Sequence, residues 1–125
     1  MKSFKLTFVF LCLFGGTYAQ DLSVKELTCE HKKNPIGIDI TLPRFSWKIY
    51  GKGNNIIQSA YFIRVATDGK FSSKNMIWQS GKTKSDESVL QVYKGADLKS
   101  GQRYFWQVKI WDNKGRESKW NEVAF

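Results

Sequence analysis

The stretch GQRYFWQVKIWDNKGRESKW, Gly101 to Trp120, carries three of the chain's five tryptophans. Side chains alternate across a strand with a period of two. Tyr104, Trp106, Val108 and Ile110 therefore share one face, and Phe105, Gln107, Lys109 and Trp111 share the other. The first set is continuously apolar and the second is mixed, the pattern of a strand with one face in a core. Asp112-Asn-Lys-Gly115 follows as hairpin chemistry, because Asn and Gly tolerate positive φ. Trp106 is expected inside. Phe105 and Trp111 are expected outside, either as a contact surface for a sugar or an adjoining domain, or as halves of cross-strand pairs.

The chain upstream repeats the same grammar of short β-rich run and polar turn. Phe45, Trp47 and Ile49 alternate with Ser46 and Lys48 before the Gly51–Asn55 turn. Tyr61, Ile63 and Val65 alternate up to Thr67-Asp-Gly69, and a briefer run, Met76 to Ser80, stops at Gly81. Ser88–Tyr93 predicts another strand, with Val89, Gln91 and Tyr93 on one face and Leu90 and Val92 on the other. Asn34-Pro35 and Leu42-Pro43 disfavour helix in the first long connection. No helical periodicity of useful length competes. Spacing close to the roughly 8–12 residues of antiparallel sandwiches predicts an all-β antiparallel sandwich of about seven strands. Leu98 precedes Tyr104 by six residues, the spacing of a tyrosine corner; with Trp47 on an early strand it resembles the fibronectin type III or immunoglobulin-like class.

Residues 1–19 are set apart as a secretory signal peptide. Lys2 and Lys5 precede the apolar run Phe8–Phe14, and Thr17-Tyr-Ala19 places small residues before the cleavage point. That run is too short to span a bilayer as an anchor. Cys12 lacks the small residues that lipoprotein processing needs before it. The mature domain is then residues 20–125, in a secreted or periplasmic setting with no membrane span after signal cleavage. Removing Lys2 and Lys5 from 20 basic residues leaves 18 against 11 acidic ones, a formal charge of +7. The lysines are scattered through turns, among them Lys52, Lys70, Lys74, Lys94 and Lys114. That pattern is a solvated basic surface rather than a nucleic-acid interface.

Only Cys29 remains after signal removal, so packing rather than a disulfide must secure the domain. Cys29 and His31 stand at i and i+2, on one side of a strand, but a structural zinc site needs four ligands. The same pair lacks a third residue to orient it for nucleophilic work. Gly51 and Gly53 flank a polar turn with no helix after it, so no phosphate loop is expected. No cofactor, metal or catalytic residue is assigned. Asp39 is read as a loop buttress, and Arg44 as a partner for a nearby carboxylate or domain.

A more specific pattern runs through "LTCEHKKNPIGIDITLPRFSW", Leu27 to Trp47, with its Cys-Glu pair, Asn-Pro-x-Gly-Ile-Asp and Pro-Arg-Phe-Ser-Trp in order. Gln58–Ala66, Ile77–Lys82, Val92–Gly115 and Ser118–Phe125 continue it. The whole mature chain resembles the opening module of bacterial α-L-rhamnosidases, departing at His31, where an aromatic is usual, and at Asn121, where a serine is. The resemblance implies a fibronectin-III-like accessory sandwich ahead of an (α/α) barrel. It implies that the parent protein is a hydrolase removing terminal α-L-rhamnose with inversion, its partners the catalytic domain of the same polypeptide and rhamnose-containing glycans.

Inverting glycosidases need two carboxylates roughly 6.5–9.5 Å apart; Asp86-Glu87 are adjacent and expected in a solvated loop. The return strand after Gly115 needs about eight residues to pair along Tyr104–Trp111. From Asn121 only NEVAF remains, which predicts an incomplete last strand and a fragment of a longer protein. Two other readings stand beside the scaffold. One is a free-standing carbohydrate-binding module stacking sugars on Phe105, Trp111, Trp78 or Trp120; the other is an adhesion module of the same fold.

Overall fold

The computed structural model of the chain describes residues 22–37 and 39–125. The signal segment expected at residues 1–19 and the expected mature start at Gln20 lie outside the described residues. Among the described residues seven strands follow in order: β1 Leu22–Cys29, β2 Arg44–Gly51, β3 Gln58–Ala66, β4 Met76–Gln79, β5 Thr83–Lys84, β6 Gln91–Val92 and β7 Phe105–Asp112. One 3-10 turn, Ser73–Asn75, enters β4. All pairings between the strands are antiparallel. β1, β2 and β6 make one sheet. In the second, β3 is central, with β4 and β5 along one edge and β7 along the other.

The sheets close on each other through aromatics placed by period-two alternation. Phe45 of β2 stacks on Trp106 of β7, ring centroids 4.4 Å apart, and Trp47 meets Tyr61 of β3 edge-on at 5.3 Å. Trp106, Val108 and Ile110 are all buried, as the Gly101–Trp120 stretch predicts. Trp47 carries a polar N–H into this interior, where it would be costly unpaired. Gln58 solves it: Oε1 accepts the indole N–H at 2.9 Å, while Nε2 donates to the carbonyls of Ser85 and Glu87. The fully buried Asp112 likewise organises the turn after β7. Its carboxylate accepts the Lys114 and Arg116 amides and the Arg116 Nε, and Gly115 takes the left-handed φ of 78° that ends the turn.

Two expectations are corrected and one is refined. First, the last strand is incomplete as expected, with only isolated bridges in place of a regular strand, but its return segment spans more of β7 than the NEVAF end alone. It runs beside β7 from the Arg116–Asp112 bond to the Trp106–Ala124 bridge, over the whole strand. It is irregular because side chains stand in for carbonyls: Ser118 Oγ accepts the Ile110 N–H at 2.9 Å and Asn121 Oδ1 the Val108 N–H at 2.8 Å. Second, Ser88–Tyr93 does not alternate. Leu90 adopts φ 53° while its N–H bonds Ser46 Oγ, so Val89 is exposed and Tyr93 fully buried instead of sharing a face. Third, β1 stops at Cys29. Glu30 and His31 both take positive φ, so Cys29 turns inward while His31 lies exposed in a turn rather than beside it on a strand.

The tyrosine corner forms as expected. The Lys99 N–H donates to Tyr104 Oη at 2.9 Å, with Leu98 packed on the core. A second tyrosine fastens the same connection: Tyr93 Oη donates to the Ala96 carbonyl at 2.7 Å. Gly95 lies so close to that ring that a Cβ would run into the Tyr93 hydroxyl and stand 2.9 Å from Trp78 Cβ.

Two substitutions probe this wall in thermal melts read by circular dichroism. Tyr104→Phe removes one hydrogen bond at constant volume and should cost about 1 kcal/mol, a fall of roughly 4–8 °C in Tm. Gly95→Ala must displace Tyr93 from a filled core and should cost more, about 1–3 kcal/mol, whereas alanine at the exposed Lys94 should leave Tm nearly unchanged.

Candidate functional site

The outer face of the second sheet carries the aromatics singled out in the sequence. The β3–β7 register sets Trp111 opposite Ala60, Lys109 opposite Phe62, Gln107 opposite Arg64 and Phe105 opposite Ala66. The return segment adds Trp120, edge-on to Phe62 at 5.5 Å. Cations fill the spaces between the rings. Lys82 lies 4.5 Å from the Trp111 centroid, Lys109 5.3 Å from Trp111 and 4.9 Å from Trp120. Arg64 sits 4.0 Å over Trp120 and 4.6 Å from Phe71, and its guanidinium also bonds Gln107 Oε1. Each such contact is worth about 0.5–1 kcal/mol on a surface and more where desolvated. The row buries Gln107, which alternation alone sets facing outward.

The four aromatic candidates are not brought together. Trp111 and Trp120 belong to this row. Phe105 stands at the far end of β7 against Phe125, centroids 6.3 Å apart. Trp78 pairs with Val65 on the inward face and meets Tyr93 edge-on at 5.0 Å.

Residues of the ordered motifs are engaged inside the domain. Glu30 grips Arg44 with both oxygens, at 2.8 Å to the terminal nitrogen, and also accepts the Arg44 amide. Ser80 prolongs the β3–β4 pairing by accepting the Ile63 N–H at 2.8 Å. Asn34 accepts the Phe125 amide, and Asp39 the Ser100 hydroxyl, which makes Asp39 the loop buttress expected of it. Asp86 and Glu87 are exposed in a loop. Among the described residues no three His, Cys, Asp or Glu are grouped to hold a metal ion. Burial pushes the Cys29 thiol up to about 11, keeping it protonated and unreactive at neutral pH.

Sequence reasoning missed one feature. A cavity of about 470 Å³ opens between the Pro35–Pro43 connection and the tyrosine corner. Phe45, Val65 and Trp106 form part of its lining, and Leu98, Tyr104 and Phe125 complete the apolar wall. Ile36 and Ile40 line it as well and are exposed, as is Leu42 next to them in the chain. Four apolar residues in the sequence between Pro35 and Pro43, at positions 36, 38, 40 and 42, were the available signal.

Carboxylates set the acid response. The Arg44 guanidinium holds the Glu30 carboxyl below its ordinary value despite partial burial. For Asp112, burial pushes up most strongly, but the Arg116 side chain and the turn amides together outweigh it and bring it low. A carboxyl depressed in the folded state stabilises above its unfolded pKa, and that contribution is lost as pH falls through the folded value. Tm should therefore be flat from pH 7 to about pH 5 and fall below about pH 4. Glu30→Gln should lower Tm at pH 7 and shrink the drop between pH 7 and pH 3.

Comparison with known proteins accords with this geometry. The family model described as "Rha78A-like, N-terminal immunoglobulin domain" matches residues 24–125. An α-L-rhamnosidase of Streptomyces avermitilis is 41% identical over 104 residues, covering 83% of this chain and 10% of the relative. One from Formosa agariphila is 37% identical over 120 residues, covering 94% of this chain and 13% of the relative. The crystal structure of the Streptomyces avermitilis enzyme complexed with L-rhamnose superposes with a TM-score of 0.78 at 40% identity, over 82% of this chain and 10% of that one. The Dictyoglumus thermophilum α-L-rhamnosidase gives 0.76 at 36% identity, over 82% of this chain and 12% of that one. The chain thus spans about a tenth of the length of the relatives it matches. By sequence and by fold, it belongs to the Rha78A-like N-terminal immunoglobulin domain family.

Proposed function

We propose that the chain is the accessory sandwich at the N-terminal end of a secreted or periplasmic α-L-rhamnosidase. It acts as a scaffold without chemistry of its own, beside the catalytic part of the same polypeptide. Removal of terminal α-L-rhamnose from glycosides belongs to that later part. The observation that carries this reading is where the motif residues go. Glu30, Arg44, Gln58, Ser80, Tyr93 and Asp112 each direct side-chain polar atoms to partners within the domain. Those contacts account for the motifs as a need to preserve a fold. The brevity of the chain against its relatives supports the same conclusion.

Cations over Trp111 and Trp120 favour the scaffold over a sugar-stacking module, because a pyranose stacks on an open ring face. Export rests on the charged start, the apolar Phe8–Phe14 run and the small residues before Gln20. Mass spectrometry of the exported protein should find Gln20 as its first residue.

Purified 20–125 chain should release no p-nitrophenol from p-nitrophenyl α-L-rhamnoside, while the polypeptide extended past Phe125 should release it. Turnover by the short chain would reject the scaffold reading. Isothermal titration of the short chain with rhamnose-rich oligosaccharides should give only heat of dilution. Saturable heat lost in a Trp111→Ala, Trp120→Ala variant would instead establish a carbohydrate-binding module.

A further inference from the structure

The connection between β1 and β2 is built more firmly than a link between two paired strands requires. Its backbone and side chains are pinned at four places. Asn34 Oδ1 accepts the Phe125 N–H, Asp39 accepts the Ser100 hydroxyl, the Thr41 carbonyl accepts the Leu98 N–H, and the Pro43 carbonyl accepts the Tyr93 N–H. This held connection presents Ile36, 90% exposed, with Ile40 and Leu42 more than 40% exposed. Large apolar side chains fixed in water beside an apolar cavity are the signature of a surface that another molecule covers.

The chemistry of the wall narrows the occupant. A sugar needs convergent donors and acceptors left free for its hydroxyls. Here Asp39 and Ser100 already bond each other and Arg103 is held over the Phe125 ring, 4.8 Å from its centroid, so the polar side chains of the lining that remain are Thr41, Lys99 and Gln102. The remaining lining is largely aliphatic and aromatic. Apolar side chains of a protein suit it better.

Position narrows it further. Phe125 is itself part of the cavity wall. In this family the domain is N-terminal, in relatives some ten times its length, so a chain continuing beyond the domain leaves from the side where the cavity opens. We propose that the Ile36–Ile40–Leu42 ridge and the cavity behind it seat an apolar segment of the polypeptide C-terminal to this domain in the same chain. The inference rests on the accessory-domain reading, and deepens it by naming the docking surface and the chemistry it takes.

Hydrogen exchange read by mass spectrometry tests it on the polypeptide extended past Phe125, with the 20–125 chain for comparison. Peptides covering residues 35–43 should exchange at least tenfold more slowly in the extended polypeptide. Ile36→Asp should abolish that difference, while leaving the Tm of the short chain within about 4 °C, as expected for an exposed site. Equal exchange in the two proteins would overturn the proposal, as would a coding frame that closes at Phe125. Concentration-dependent dimers of the short chain that vanish with Ile36→Asp would overturn it in favour of a second copy. Protection that appears only with added rhamnose oligosaccharide would overturn it in favour of a sugar site. Slow exchange in an extended polypeptide that lacks rhamnosidase activity would retire the functional reading and leave the docking surface standing.

Discussion

The contact on which the sandwich depends is the meeting of Phe45 and Trp47 on one sheet with Trp106 and Tyr61 on the other. Cys29 is the one cysteine of the described residues and is unpaired, so no covalent bond joins the layers there. Truncating a buried aromatic costs about 3–5 kcal/mol, against a total stability of about 5–15 kcal/mol for a typical domain. Each of these pairs thus represents a large share of the margin. That makes their supports consequential too. Gln58 exists in this core because Trp47 cannot be buried with its N–H unpaired.

The two tyrosines extend this logic to the connections. Tyr93 and Tyr104 each put an apolar ring against the core and a hydroxyl onto nearby backbone. They convert what would be a loose crossover between β6 and β7 into a fixed wall. The cavity, the pinned connection before β2 and the Phe125 end all lean on that wall. A scaffold domain needs such rigidity, because a docking face that rearranges freely loses affinity to the entropy of ordering it.

The outer face of the second sheet shows how a basic domain can manage exposed tryptophans. Lysine and arginine lie over the rings of Trp111 and Trp120, covering apolar area while keeping charge in water. Part of the positive excess therefore serves local packing, and no nucleic-acid partner is needed to explain it.

Much of the fold was legible because it obeys short-range rules. Period-two alternation located the buried faces of β2, β3 and β7, and the Leu98–Tyr104 spacing marked the corner. Alternation failed at Leu90, Glu30 and His31, where a left-handed φ, uncommon outside glycine, breaks the period; at Leu90 the bond from its N–H to Ser46 Oγ, 44 residues away, accompanies it. The reach of the return segment was misjudged for a similar reason, since Ser118 and Asn121 pair through side chains that no propensity marks as strand-forming. For the candidate surfaces, the chain composition announced aromatics and cations but not their neighbours. Which ring receives a lysine, and where a cavity remains unfilled, depends on how two sheets and a connection many residues apart come to rest against each other. Alternation is a local property of the backbone and is written in the sequence; contact between remote side chains is a property of the packed whole.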